Sequence, residues 1–185
     1  MLSSATIPGL SMPFFLISLF GKDRPGIVAE VSKVLYQLNL NIEDSSMTRL
    51  KGEFTIMLIV SSPTEINEED ILSALEEVKD KLGLWVACKR LPEDWQEECE
   101  RKEIYRIVVS GADKPGIVYN VSKLLSEKGI NISDLRTEKK GGLYLMFIEG
   151  ESDEDLFEEL RQDLESLRHQ LNIDISVERD EEAIL

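Results

Sequence analysis

An internal repeat constrains this chain more than any other feature. GKDRPGIVAEVSKVLYQLNLNIED (21–44) aligns without gaps to GADKPGIVYNVSKLLSEKGINISD (111–134), an offset of 90 residues. The identities include Gly21/Gly111, Asp23/Asp113, Pro25/Pro115, Gly26/Gly116, Ile27/Ile117, Asn41/Asn131 and Asp44/Asp134. FFLISLF (14–20) shares its pattern with IYRIVVS (104–110), and segment 52–59 shares its pattern with 142–149. One deletion follows, after which the remaining segments align at an offset of 89. Self-similarity at a fixed period marks one supersecondary unit used repeatedly. The chain therefore reads as two copies of a unit of about 80 residues, and 185 residues suffice for two small cores.

Each unit reads in the same order. Phe14–Phe20 is an apolar run of strand length. After the GKDRPG loop, Ile27, Val31, Val34, Leu35 and Leu38 recur at helical spacing. Residues 42–49 are extended, LKGE (50–53) is a turn signal, and 54–60 is a second apolar strand. Ile71, Leu72, Leu75, Val78 and Leu82 form a second helical stripe that ends at Gly83, a C-cap candidate, and 84–91 is the last strand. The second copy repeats this with strands at 104–110, 132–139, 143–149 and 173–180. The expected class is α+β: two tandem ferredoxin-like βαββαβ domains, each a four-stranded antiparallel sheet with helices on one face. The expected boundaries are a tail at 1–13, domain 1 at 14–91, a linker at 92–103, domain 2 at 104–180 and a tail at 181–185. Trp95 in the linker is expected to pin one repeat to the other.

Successive strand residues point to opposite faces of a sheet. In Phe14–Phe20 both sets are apolar: Phe15, Ile17 and Leu19 on one side, Phe14, Leu16 and Phe20 on the other. Helices cover only one face, so the second face is expected to pack on the other repeat or on a partner chain.

Charge narrows the functions. Lys and Arg number 21 against 36 Asp and Glu, a net of −15. Residues 1–91 carry 9 basic and 12 acidic residues (−3), leaving 12 and 24 (−12) for 92–185. Such a chain repels nucleic-acid phosphates, so direct nucleic-acid binding is not expected, including RNA binding on a sheet of this topology. One histidine, His169, excludes a His cluster; beside Glu165 on the last helix it reads as a surface residue. Two cysteines, Cys88 and Cys99, exclude a disulfide scaffold and lack the spacing of a redox pair. No run is long enough to span a membrane, and no basic residue precedes Lys22 as a signal peptide requires, so a cytoplasmic location is the expectation.

The sharpest local signal is Asp-[Arg/Lys]-Pro-Gly-Ile-Val between the first strand and first helix of each unit. One reading is purely structural: Asp caps the helix, Pro takes its first position and Gly permits the tight turn. The other is functional. An open helix N-terminus attracts a carboxylate, and an adjacent Asp attracts an ammonium. The two charges on one small molecule make an amino acid.

On DRPGI (23–27) with NIED (41–44), and DKPGI (113–117) with NISD (131–134), the chain resembles a tandem of ACT domains over residues 14–91 and 104–180. The stretch 41–60 is most similar to the group of glycine cleavage system transcriptional repressors. The resemblance implies amino-acid binding where the first loop meets a neighbouring domain. Carried over by position, the binding residues are Asp23, Arg24, Pro25, Gly26, Ile27, Asn41 and Ile42, with Asp113, Lys114, Pro115, Gly116, Ile117, Asn131 and Ile132 in the second unit. Asp23 and Asp113 stand where the family often has Asn. Gly21 and Gly111 stand where some serine-binding members have His, which weakens a claim for serine.

The function expected is a non-enzymatic regulator that binds a small amino acid, glycine among the candidates, and acts on a partner protein. Its partners would be a second copy of the chain, joined through sheet faces or edges, and a DNA-binding regulator. The glycine and one-carbon system is the implied setting. No cofactor, catalytic residue or metal is expected. The alternatives are a ligand-free interaction module, a detached regulatory half of an enzyme, or a small ferredoxin-like hydrolase. The hydrolase needs an Arg in a phosphate-cradling loop. Arg24 supplies one, whereas Lys114 in the second copy is not its equivalent at a bidentate site.

Overall fold

A computed structural model describes residues 12–92, 95 and 102–180. The expected tails, except Met12 and Pro13, and most of the linker, Cys99 included, lie outside the described residues. The chain divides into two compact units between Glu97 and Glu98.

The first unit runs β1 (Phe14–Lys22), α1 (Ile27–Gln37), β2 (Asn41–Leu50), β3 (Glu53–Ser61), α2 (Glu68–Leu82), β4 (Trp85–Arg90). The second runs β5 (Glu103–Ala112), α3 (Ile117–Glu127), β6 (Asn131–Lys140), β7 (Leu143–Ser152), α4 (Phe157–Leu171), β8 (Asp174–Arg179). The sheet orders are β2-β3-β1-β4 and β6-β7-β5-β8, with every pairing antiparallel. This is the ferredoxin-like βαββαβ arrangement, twice.

Period-two alternation builds each core. Phe15, Ile17 and Leu19 of β1 are fully buried with Phe54, Ile56, Leu58 and Val60 of β3, beneath Ile27, Val31 and Leu35 of α1 and Ile71 and Leu75 of α2. Tyr105, Ile107 and Val109, Tyr144, Met146 and Ile148, Val121 and Leu125, and Leu160 and Leu164 form the second core. The hairpin β2–β3 turns through Lys51 (φ 49°) and Gly52 (φ 89°), and β6–β7 turns through Gly141 (φ 60°) and Gly142 (φ 84°). Two consecutive left-handed residues make the tight turn that matches strand twist. Gly83 caps α2 in the left-handed conformation, as the sequence predicts.

Gly21 and Gly111 have a packing reason for lacking a side chain. A Cβ at Gly21 would lie 3.0 Å from Leu84 Cδ2, and one at Gly111 would lie 2.8 Å from Ile173 Cγ2. The space beside each strand is taken by the residue after the cap of the second helix, so a side chain there would have to displace Leu84 or Ile173.

The opposite faces of the two sheets differ. On the first, one cross-strand row reads Thr48, Thr55, Phe20, Trp85, and the two aromatic rings stack at 6.0 Å and 2°. Phe20, Trp85 and Met57 are exposed there. On the second sheet the matching row reads Glu138, Leu145, Ser110, Asp174. Trp95 packs on Phe14 of its own unit, ring centroids 5.2 Å apart.

Candidate functional site

The Asp-x-Pro-Gly loops are near-copies in backbone. Gly26 stands at the N-cap of α1 with φ 96° and ψ −11°, and Gly116 at that of α3 with φ 95° and ψ −7°. This left-handed geometry strains any residue with a Cβ, which accounts for glycine at both positions. The structure corrects the helix-start reading. Neither aspartate caps its helix: among the described residues no side chain bonds to the N-terminal N–H groups of α1 or α3. Pro25 and Pro115 lie in the turn before Gly26 and Gly116, not at the first helical position. Gly takes the cap position with its left-handed backbone, three residues after Asp23 or Asp113. The first free backbone N–H groups of each helix stay open and carry its partial positive charge.

The aspartates turn instead to a basic residue of the following strand. Arg49 Nη1 lies 3.3 Å from Asp23 Oδ2, and Lys139 Nζ lies 2.7 Å from Asp113 Oδ2. Arg49 and Lys139 are repeat equivalents at the offset of 90. Asp113 holds the Lys139 ammonium above its ordinary pKa by hydrogen bond and charge. The Asp23 N–H also donates to Gly52 O at 2.9 Å, tying the loop to the β2–β3 turn. The recurrence of a base at positions 49 and 139 is the signal that could have found these pairs.

In the first unit the loop opens on a groove of about 420 Å³. Asp23, Arg24, Gly26 and Ile27 line it, joined by Val28, Ala29, Met47 and Phe54, which sequence reasoning missed. Ile42 lies elsewhere, in a narrow apolar crevice that shares Ile27, Val28 and Phe54 with the groove.

Asn41 opens β2, and its amide donates to Glu43 Oε1 at 2.9 Å. Glu43 bulges out of the β2–β3 ladder between Ile42 and Asp44. Its carboxylate also accepts from Ser61 Oγ, and the two donors hold its pKa below the usual range. The second unit bulges at the same place but carries Ser133, whose hydroxyl donates to Glu149. There Asn131 starts β6 opposite Glu151, with Ile132 opposite Gly150. Among the described residues the Asn131 amide makes no hydrogen bond.

The remaining reactive side chains sit apart. Cys88 is half-buried in β4, and burial pushes its thiol up to about 11, which leaves little thiolate at neutral pH. His169 is exposed, 3.1 Å from Glu165. Among the described residues no group of three or more His, Cys, Asp or Glu is placed to hold a metal ion, and no helix is long and apolar enough to cross a membrane.

The model of the ACT domain matches residues 13–89 and 103–178. The chain belongs to the ACT domain family. It contains the domain twice, and each match spans one of the two structural units. A UPF0237 protein of Pyrobaculum aerophilum is 38% identical over 77 residues, 41% of this chain and 86% of that protein. The crystal structure of an unknown protein from Galdieria sulphuraria superposes with a TM-score of 0.76 at 29% identity, covering 91% of this chain and 99% of that one. A protein named as a candidate glycine cleavage system transcriptional repressor superposes with a TM-score of 0.66 at 22% identity, covering 91% and 98%. At that identity the last likeness is one of fold.

Proposed function

We propose that this tandem ACT protein is a non-enzymatic regulator that binds a small amino acid at its Asp-x-Pro-Gly loops and thereby alters its association with a partner protein. One observation carries the reading: a left-handed glycine leaves a helix N-terminus uncapped beside a carboxylate, in both units. The open N–H groups suit an α-carboxylate. The aspartate suits an α-ammonium, which would replace the side chain of Arg49 or Lys139. Both basic side chains are about two-thirds exposed, so leaving the aspartate costs them little. Glycine is the first ligand to try, because the structural neighbour named for glycine cleavage shares the tandem fold.

Regulation would work by linkage. A ligand that binds one state of association better than the other shifts the population toward it. The strands β2 and β6 lie at sheet edges with almost every residue exposed, and with the open sheet faces they are the surfaces through which copies would associate. A DNA-binding partner would carry any transcriptional action, since a net charge of −15 opposes direct contact with DNA.

A second reading, a ligand-free interaction module, draws on the exposed Phe20–Trp85 stack. A thermal-shift screen against all twenty amino acids at millimolar concentration separates the two. A ligand at about 100 times its Kd adds roughly 2.7 kcal/mol, a shift of a few degrees. The regulator reading expects a selective shift that Asp23→Ala, in the groove lining, diminishes. No shift with any amino acid leaves the interaction module.

A further inference from the structure

The two loops share their backbone but not their surroundings, and the surroundings decide what can enter. Ala29 stands on the first turn of α1 and lines the groove of the first unit. Its repeat equivalent on α3 is Tyr119, exposed on its helix. A ring of this size brings on the order of 150–250 Å² of surface to a position where the first unit has one methyl group. Other substitutions act the same way. Met47 becomes Thr137 and Phe54 becomes Tyr144, so the second loop trades apolar contacts for hydroxyls. Asn120 replaces Glu30, and its amide folds back to donate to Gly116 O at 2.8 Å, against the cap glycine. Glu30 instead turns away from the first loop to pair with Lys81 at 3.0 Å. The internal cation also sits closer in the second unit, 2.7 Å from Asp113 against 3.3 Å from Asp23.

We propose that the chain takes one ligand, at the first loop only, that this ligand is an α-amino acid with an apolar side chain, and that Ala29 against Tyr119 is the residue pair that sets the difference. The inference rests on the amino-acid reading above and adds which loop is used and what side chain it accepts. The carboxylate faces the N-terminus of α1 and the ammonium faces Asp23. The side chain lies against Val28, Met47 and Phe54, where apolar contact is available and no charge opposes it. Arg24, at the polar rim, stays in water. The second loop keeps its Asp113–Lys139 pair and serves as a structural copy.

Isothermal titration of the full chain with L-leucine tests this, with glycine and L-glutamate as comparators. The expected result is one L-leucine per chain, bound at least tenfold more tightly than L-glutamate. Ala29→Tyr, which installs the residue the second unit already tolerates at an exposed site, should weaken L-leucine at least tenfold while leaving the melting temperature within a degree or two. Tyr119→Ala should leave the affinity at the first loop unchanged. Two equivalent sites per chain, or wild-type affinity in Ala29→Tyr, overturns this inference and leaves the amino-acid reading standing. So does selective binding of glycine, or of a polar or charged amino acid, without L-leucine binding. If none of the twenty amino acids binds, both fall together.

Discussion

The two units hold the start of their second helix by unrelated means. In the first, Asn67 closes α2 with a capping box: its side chain accepts from Asp70 N–H at 2.9 Å, and the Asp70 carboxylate accepts from Asn67 N–H at 3.1 Å. The repeat equivalent of Asn67 is Leu156, which cannot do this. The second unit compensates from the core. Tyr105, at the position of Phe15, donates its hydroxyl to Glu154 O at 3.1 Å and accepts from Leu156 N–H at 2.8 Å. Asp155 accepts from Phe157 N–H and is clasped by Arg179, which lies over the Phe157 ring. The N–H of the cap residue itself is met by a local side chain in one unit, Asp70, and by Tyr105, some fifty positions away, in the other. Features the backbone requires, such as the left-handed glycines, the bulges and the tight turns, recur in both units. Side chains on open faces and in the groove have diverged.

The largest effects should be blind to that divergence. Leu75→Ala and Leu164→Ala remove equivalent buried leucines, and each should cost about 2–5 kcal/mol in thermal or urea unfolding. A cost confined to one unit would break the equivalence of the cores. Helix starts come next. Tyr105→Phe removes two hydrogen bonds to part-buried backbone groups and should cost about 1–2 kcal/mol. Phe15→Leu in the first unit disturbs packing alone, whereas Asn67→Ala should cost about 1 kcal/mol through the lost cap. No loss from Tyr105→Phe would show that the tyrosine is not the compensating group.

The smallest effect is a pH dependence at one of the two bulges. The folded state holds the Glu43 carboxyl below its ordinary value near 4.5, through Ser61 and Asn41. A depressed carboxyl contributes stability above its unfolded pKa and loses it as pH falls through the folded value. Glu43→Gln should therefore lower the melting temperature at pH 7 and change it little at pH 3. Ser133→Ala at the matching bulge should show no such difference between the two pH values. Melts of both variants at the two pH values check this.

Much of this was legible in the sequence because the repeat supplied a second reading of every element. The offset of 90 fixed the register of the loops, whereas Phe14–Phe20, apolar on both sides, left open which face carries the core; burial of Phe15, Ile17 and Leu19 decides it. Asp, Pro and Gly are individually good capping residues, so the sequence leaves the capping reading open, and only the positive φ at Gly26 shows that glycine holds the cap. The Arg49–Asp23 pair joins residues 26 positions apart across a strand edge, a contact that periodicity does not encode. The bulges at Glu43 and Ser133 lie in strands whose mostly polar sequence shows no alternation to interrupt. Ala29 is a small exposed residue with no signal of its own; its meaning comes from Tyr119 at the same place in the other unit.

The most direct test of the central claim is an amide-resolved titration of the isotope-labelled chain with L-leucine, followed by ¹H–¹⁵N correlation spectra. The account predicts that the N–H signals of Gly26, Ile27, Val28 and Ala29 shift in a saturable way, while those of Gly116, Ile117, Val118 and Tyr119 stay where they are. Equal shifts at both loops would contradict the asymmetry, and saturable shifts confined to other parts of the chain would contradict the site itself.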